Sequence, residues 1–142
     1  MAEQIKLENV GKFVEGEYNK LIKAAVVEAY GSLVQKSPVD TGRFKSSWAV
    51  GENSATFAGE PAGKSSYPAP NPEKPRKIGY LKEKAGNTYV IYNNLPYAEK
   101  LANAPLGKGS SVQTNGPGWV EATAKRVQRM IPTLAARIER ES

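Results

Sequence analysis

The feature that most constrains this chain is an apolar periodicity near its start. Apolar residues recur every three or four positions from Val10 to Val34, which is the pattern of a helix with one core-facing stripe. The pattern predicts a single helix over residues 8–36, about 40 Å long at the usual helical rise. Pro38 follows, and because its ring cannot continue a helix, the helix should stop there. Few helices in a small domain are this long, so we expect part of the stripe to serve a neighbouring subunit.

Local patterns predict the remaining elements. Residues 88–92 are β-branched or aromatic throughout, which indicates a strand, and a second strand should begin at Trp48. Residues 97–103 fit a short helix, whereas residues 78–81 fit a short helix or a strand. Apolar spacing indicates a final helix over residues 117–140, which contains Pro132 and should be kinked there. The order predicts an α+β fold, in which a small antiparallel sheet is flanked by two long helices.

Two long stretches lack the pattern of any regular element. Residues 53–77 and 104–117 are rich in Pro, Gly and Ser, and we expect both to be long loops. Loops of this length inside a compact domain tend to be functional. The chain has 142 residues, which fits one domain over residues 1–142.

The composition excludes several kinds of chemistry. The chain has no Cys and no His, which rules out disulfides, thiol nucleophiles, zinc ribbons, histidine metal ligands and Ser-His-Asp triads. The carboxylates show no spacing that suggests a hard-metal site, and we expect no cofactor. The start of the chain has no signal-peptide layout and no apolar run is long enough for a membrane helix. We therefore expect a soluble protein with no membrane partner, made in the cytosol.

Two short motifs resemble catalytic ones and are better explained otherwise. Asp40-Thr41-Gly42 matches the aspartic-protease triplet, but Pro38 precedes it where a strand would be needed. Asp40 or Thr41 should instead cap a short helical turn. Residues 59–65 resemble a phosphate-binding loop but have one residue too few between the glycines, and no strand leads into them. We expect no enzymatic activity.

The charge of the chain leaves one alternative open. The formal net charge is +6 and the pI is about 9.5, which permits an anionic partner such as nucleic acid. The basic residues are spread through the chain, and no recognised nucleic-acid-binding motif is present. A small basic nucleic-acid-binding protein is therefore the alternative interpretation.

Two segments together resemble one family. Residues 37–48 are Ser-Pro-Val-Asp-Thr-Gly-Arg-Phe-Lys-Ser-Ser-Trp, and residues 90–98 are Val-Ile-Tyr-Asn-Asn-Leu-Pro-Tyr-Ala. In this order and at this spacing, they resemble the two signatures of tailed-phage neck and tail-completion proteins of the lambdoid minor tail protein Z type. The resemblance extends over roughly residues 8–135. The chain departs from that family at residues 101–104 and 115–119, where a Leu-Glu-Tyr-Gly and an Ala-Pro-x-Gly-Met segment are usual.

The matching residues suggest a structural role. They are Pro38, Asp40, Thr41, Gly42, Arg43, Trp48, Asn93, Asn94, Pro96, Tyr97 and Ala98. We expect Gly42 to permit a tight backbone, Arg43 to bridge to a carboxylate or carbonyl, and Trp48 to anchor the sheet in the core. Asn93 and Asn94 should bond backbone groups where the strand ends, with Pro96 fixing the next turn.

The resemblance implies a structural virion protein without catalysis. It would lie at the head–tail junction, or complete the head-proximal end of the tail, after assembly in the host bacterial cytoplasm. It implies a homo-hexameric ring that contacts other neck and tail proteins, namely a tail terminator, a tail tube and head-completion or connector proteins, with packaged DNA nearby. We expect the two long loops to dock these partners. The candidate docking residues are Lys64, Tyr67, Lys74, Arg76, Lys77, Lys108 and Trp119.

Overall fold

A computed structural model describes residues 2–4, 15–105 and 115–141. In chain order the elements are β1 (Ala2–Gln4), α1 (Glu15–Lys36), α2 (Arg43–Ser46), β2 (Ala49–Glu52), β3 (Lys77–Ile78), β4 (Tyr89–Tyr92), α3 (Ala98–Asn103) and α4 (Trp119–Glu141). A small sheet and two long helices make up the fold, so the predicted α+β class is confirmed.

The sheet has four strands in the order β1-β4-β2-β3. The two central strands are antiparallel, with Val50 opposite Ile91, and β1 pairs antiparallel with the other edge of β4. However, β3 pairs parallel with β2, with Val50 opposite Lys77. The predicted antiparallel arrangement is confirmed for β1, β4 and β2, and the parallel β3 makes the sheet mixed. A parallel pair needs a long connection between its strands, and the stretch between Glu52 and Lys77 provides one.

The two long helices pack along each other. On α4 the buried positions recur at helical spacing, and Ile131, Leu134 and Ile138 form an apolar cluster with Leu21 of α1. Further buried residues of α1 belong to the main core together with residues of β2 and β4. The predicted first helix is thus observed from Glu15 onward, and its residues 8–14 lie outside the described part of the chain.

Most of the shorter elements agree with their predicted positions. β4, β2 and α3 lie within two residues of where local patterns put them. The undecided segment 78–81 contains the end of β3 and then a turn. β1 was not predicted, because three residues carry too little pattern to identify a strand. Within the three described ranges, neither long helix nor any other combines the length and apolar character needed to cross a membrane.

Candidate functional site

The two segments that carry the family resemblance are in direct contact. Asn93 is fully buried, and its Nδ2 donates a hydrogen bond to the backbone oxygen of Phe44, 49 residues earlier, at 2.8 Å. The Oδ1 of Asn93 accepts the backbone N–H of Leu95 at 3.3 Å. The guanidinium carbon of Arg43 lies 5.9 Å from the centre of the Tyr97 ring. We call residues 41–48 together with residues 92–97 the signature junction.

The start of α2 is shaped by glycine rather than by a side-chain cap. Gly42 occupies the N-cap position with a φ of 89°, and no side-chain cap hydrogen bond is made there. Thr41 Oγ1 accepts the backbone N–H of Arg43 at 3.3 Å, while Asp40 is exposed. The N-cap position is therefore Gly42 and not Asp40 or Thr41, but the predicted bond from a side-chain oxygen to an unpaired backbone N–H is made by Thr41. Glycine suits this position for two reasons. It adopts a positive φ without strain, and it has no Cβ to collide with the backbone of Tyr67, which passes very close.

Aromatic side chains connect the signature junction to the rest of the core. The buried Trp48 donates from Nε1 to Ser37 Oγ at 2.7 Å, and that hydroxyl donates to the backbone oxygen of Leu33 in α1 at 2.6 Å. The rings of Phe44, Trp48 and Trp119 meet edge to face, with centroids 5.6–6.4 Å apart. Such contacts stabilise by about 0.5–1.5 kcal/mol each beyond their burial. Trp48 lies in the core with Val50 and Ile91 of the sheet, as predicted, and it also contacts α1 and the start of α4.

Glu60 ties the long 53–77 connection to the signature junction. Arg43 Nε donates to the backbone oxygen of Glu60 at 2.8 Å, so its predicted bridge is made to a carbonyl. The backbone N–H of Glu60 donates to Ser47 Oγ at 2.9 Å. Its carboxylate accepts from Arg76 at 2.7 Å, and that guanidinium also covers the ring of Phe57. Glu60 therefore bonds three side chains, those of Arg43 and Ser47 through its backbone and that of Arg76 through its carboxylate.

A second set of bonds holds the beginning of the same connection. Asn94 Nδ2 donates to the backbone oxygens of Ala55 and Phe57, at 2.8 Å and 3.1 Å. The hydroxyl of Tyr92 accepts the backbone N–H of Phe57 at 2.9 Å. Asn93 and Asn94 thus bond backbone groups where β4 ends, as predicted, and apart from Leu95 their partners are distant in sequence. Residues 55–60 are fixed against the signature junction.

The structure separates the candidate docking residues into three groups. Tyr67 and Trp119 are 8% and 6% exposed, so neither can contact a partner, and their assignment as docking residues is corrected. Tyr67 packs under its own loop, where its hydroxyl bonds the backbone oxygen of Pro61. Trp119 is the first residue of α4.

Four of the remaining candidates are at the surface to different degrees. Lys64 and Lys74 are exposed, whereas Arg76 and Lys77 are partly buried in ion pairs. Lys108 lies outside the described residues, as does most of the predicted 104–117 loop. Of the family-motif residues, Pro38 and Ala98 are buried and Pro96 is exposed.

The polar side chains at the signature junction form hydrogen bonds with backbone atoms rather than ion pairs with one another. Burial raises the pKa of the Tyr97 hydroxyl, while the guanidinium of Arg43 acts in the opposite direction. Over the ranges that the structure describes, no three acidic side chains come together in a way that could hold a metal ion. The arrangement can fix the relative positions of α2, β4 and the long connection. Ser47, Glu60 and Phe57 were missed by sequence reasoning, because nothing in their local sequence signals a partner so far along the chain.

Comparisons with models of protein families, with curated proteins and with solved structures find no match. The phage-neck resemblance therefore depends on the two signature segments alone. The geometry of the signature junction adds an independent physical fact, namely that these two segments form one structural unit.

Proposed function

We propose that the protein is a structural component of a tailed-phage virion, located at the head–tail junction or at the head-proximal end of the tail. The observation that carries the proposal is the bond between Asn93 and Phe44, which joins the two segments that resemble the family. An assembly protein acts through the shape of its surface. Motif residues that fix the fold therefore also support such a function. The proposed role is not catalytic.

The proposed assembly is a ring of six copies. Heterologous contacts between identical subunits form a ring when the repeated rotation returns to the first copy, and an open filament when it does not. Because the connection between β2 and β3 is bonded to the signature junction at Glu60, its exposed residues Lys64 and Lys74 project from a fixed base. These two lysines are the most exposed of the docking candidates that the structure describes. The proposed partners are the neighbouring tail and head-completion proteins.

A genetic test in the phage addresses this proposal directly. A nonsense mutation in the gene should yield DNA-filled heads and separate tails, which electron microscopy of the lysate would reveal, and the wild-type gene supplied in trans should restore joined particles. Mass spectrometry of purified virions should detect the chain, and a reconstruction of the neck should contain it. Joined, infectious particles that lack the chain would refute the proposal.

Charge reversal separates the docking surface from folding. Lys64→Glu combined with Lys74→Glu should leave the thermal unfolding temperature nearly unchanged, because both side chains are exposed, yet reduce the yield of joined particles. Lys20→Glu combined with Lys100→Glu makes the same charge change at other exposed positions and is the matched control. Equal losses in both pairs would point to net charge rather than to the loop.

The alternative function, binding of nucleic acid, is favoured by one surface. The outer face of α4 exposes Lys125, Arg129 and Arg140. A nucleic-acid-binding protein should bind mixed-sequence duplex DNA at about 150 mM salt, with an affinity that falls steeply as salt increases. If the protein is instead a neck component, we expect it to bind DNA weakly in this assay.

A further inference from the structure

The turn that follows β3 carries the most exposed large apolar side chain of the described residues. Leu81 is 93% exposed, and Val39, at 51%, is the other large apolar residue that is exposed there. A single exposed leucine is ordinary on a protein surface. What distinguishes Leu81 is that the backbone around it is firmly held. We call residues 79–86 the β3–β4 tip.

Bonds at the end of the β3–β4 tip attach it to the sheet and to α1. The ring of Tyr80 packs against that of Tyr89 of β4, with centroids 5.0 Å apart. The backbone N–H of Lys84 donates to the Tyr89 hydroxyl at 2.9 Å, and that of Ala85 donates to Oδ1 of Asn19 at 2.6 Å. The tip is therefore fixed on both sides of Leu81.

An ion pair beneath the tip holds Leu81 itself. Lys77 Nζ donates to the backbone oxygen of Leu81 at 3.2 Å and lies 3.2 Å from Oε2 of Glu83. Glu83 is buried, so its carboxylate faces Lys77 rather than solvent. An ion pair between the partly buried Lys77 and the buried Glu83 thus holds a turn whose apolar side chain lies outside the core. Holding the backbone in place before binding lowers the entropy lost on association.

The surroundings of Leu81 are basic and concave. Lys82 and Lys84 are exposed on either side of the buried Glu83. Leu81 forms part of the lining of an open cavity of about 440 Å³, together with both lysines and Glu52. The surface therefore presents an apolar projection, a positive border and a recess beside it.

We propose that Leu81 is the anchor through which this protein binds a different protein chain, by entering an apolar pocket bordered by carboxylates. Charge complementarity to Lys82 and Lys84 specifies the acidic border. In the part of the chain that the structure describes, neither of two recesses has the acidic border that such a pocket in another copy would need. The cavity beside Leu81 has two lysines to one carboxylate, and a second one of about 220 Å³ is lined by three lysines, an ion-paired Glu83 and Glu73. The inference does not depend on the proposed phage function.

Photo-crosslinking identifies what covers Leu81. A photoreactive residue at position 81 is introduced into the full chain, in cells that express the gene with its genomic neighbours, and the product is identified by mass spectrometry. The same residue at position 39 is the matched control, since Val39 is the other exposed large apolar residue. We expect position 81, and not position 39, to crosslink to one chain of different sequence, at a segment with apolar and acidic residues.

Binding of that purified chain then tests the anchor. Leu81→Ser should weaken its affinity by about 10- to 100-fold, as expected for losing one buried leucine, and Val39→Ser should leave it unchanged. Lys82→Glu with Lys84→Glu should weaken it by about two- to fivefold and reduce its salt dependence. Circular dichroism should show unchanged folding, because all of these side chains are at the surface.

Four outcomes would overturn the inference. In the crosslinking experiment they are a product with another copy of this chain, or a crosslinking yield at position 81 no greater than at position 39. In binding experiments they are wild-type affinity of Leu81→Ser for the partner chain, or Leu81-dependent binding to phosphatidylglycerol vesicles instead of to a protein.

Discussion

The signature junction and the pair of long helices stabilise the same fold in different ways. In the signature junction, buried polar side chains such as Asn93 and Ser47 bond backbone atoms of distant segments. Between α1 and α4, the cluster of Leu21, Ile131 and Leu134 is purely apolar. Hydrogen bonds are directional and specific to one side chain, whereas apolar packing accepts any side chain of similar volume.

This difference determines how each region should tolerate substitution. A buried Asn that satisfies two backbone groups has no substitute with the same geometry. An apolar cluster between two helices accepts other apolar side chains of similar volume. The comparison predicts that equivalent substitutions cost more in the signature junction than in the helix pair.

The largest effect is expected for Asn93→Leu. The change leaves the backbone oxygen of Phe44 and the backbone N–H of Leu95 buried without their partner, and each unpaired group costs about 1–3 kcal/mol. We expect the free energy of unfolding in urea to fall by about 2–5 kcal/mol. Asn94→Leu is the matched control, because Asn94 is exposed and water can replace its bonds, for a loss of about 1 kcal/mol or less. Equal losses would remove the distinction between the two residues.

Gly42→Ala should have the next largest effect. A Cβ at Gly42 would lie 3.0 Å from the backbone oxygen of Tyr67, and φ is already positive. We expect a loss of about 2–3 kcal/mol from left-handed strain and crowding together. Gly86→Ala serves as the control, since its φ is similar and nothing lies within 4 Å of the added carbon. That variant should lose only the strain, about 1–2 kcal/mol. If the thermal unfolding curves of Gly42→Ala and Gly86→Ala coincide, the close approach of Tyr67 to Gly42 does not add to the cost of the substitution.

In the helix pair, Ile131→Val should cost less. The substitution removes one methylene from the apolar cluster with Leu21, and such changes cost about 0.5–1.5 kcal/mol. Leu134→Met nearly conserves volume and should stay below about 1.5 kcal/mol. Urea unfolding measures both. A loss above about 3 kcal/mol for either would mean that the helix pair is as specific as the signature junction.

Glu28→Gln should have the smallest effect. Glu28 pairs with Arg126 across the two helices at 3.2 Å, but both side chains are more than a third exposed. Such surface pairs contribute about 0–1 kcal/mol, and salt screens them. Arg126 also keeps its bond to the hydroxyl of Ser32. We expect a change of about 0.5 kcal/mol or less at low salt that disappears near 1 M salt. A larger change that persists in high salt would show that polar pairing also holds the helices together.

Patterns within a few residues predicted the regular elements well, and long-range arrangement poorly. The stripe of α1, the stop at Pro38 and the β-branched run of β4 each depend on neighbours in sequence. The parallel pairing of β3 with β2 and the role of Glu60 depend on residues from segments far apart. The apolar periodicity of a segment does not indicate which distant segment packs on it.

The candidate site divides in the same way. The sequence by itself determined which residue types stand in the two signature segments, and therefore where directional bonds could form. Only the tertiary structure decided that these segments meet at Asn93, that Tyr67 and Trp119 are buried, and that Leu81 is not. The physical reason is that burial is a property of the folded surface. An apolar residue in a loop is covered or exposed according to which part of the chain returns to pack on it, as the 53–77 connection does over Gly42 and no described segment does over Leu81.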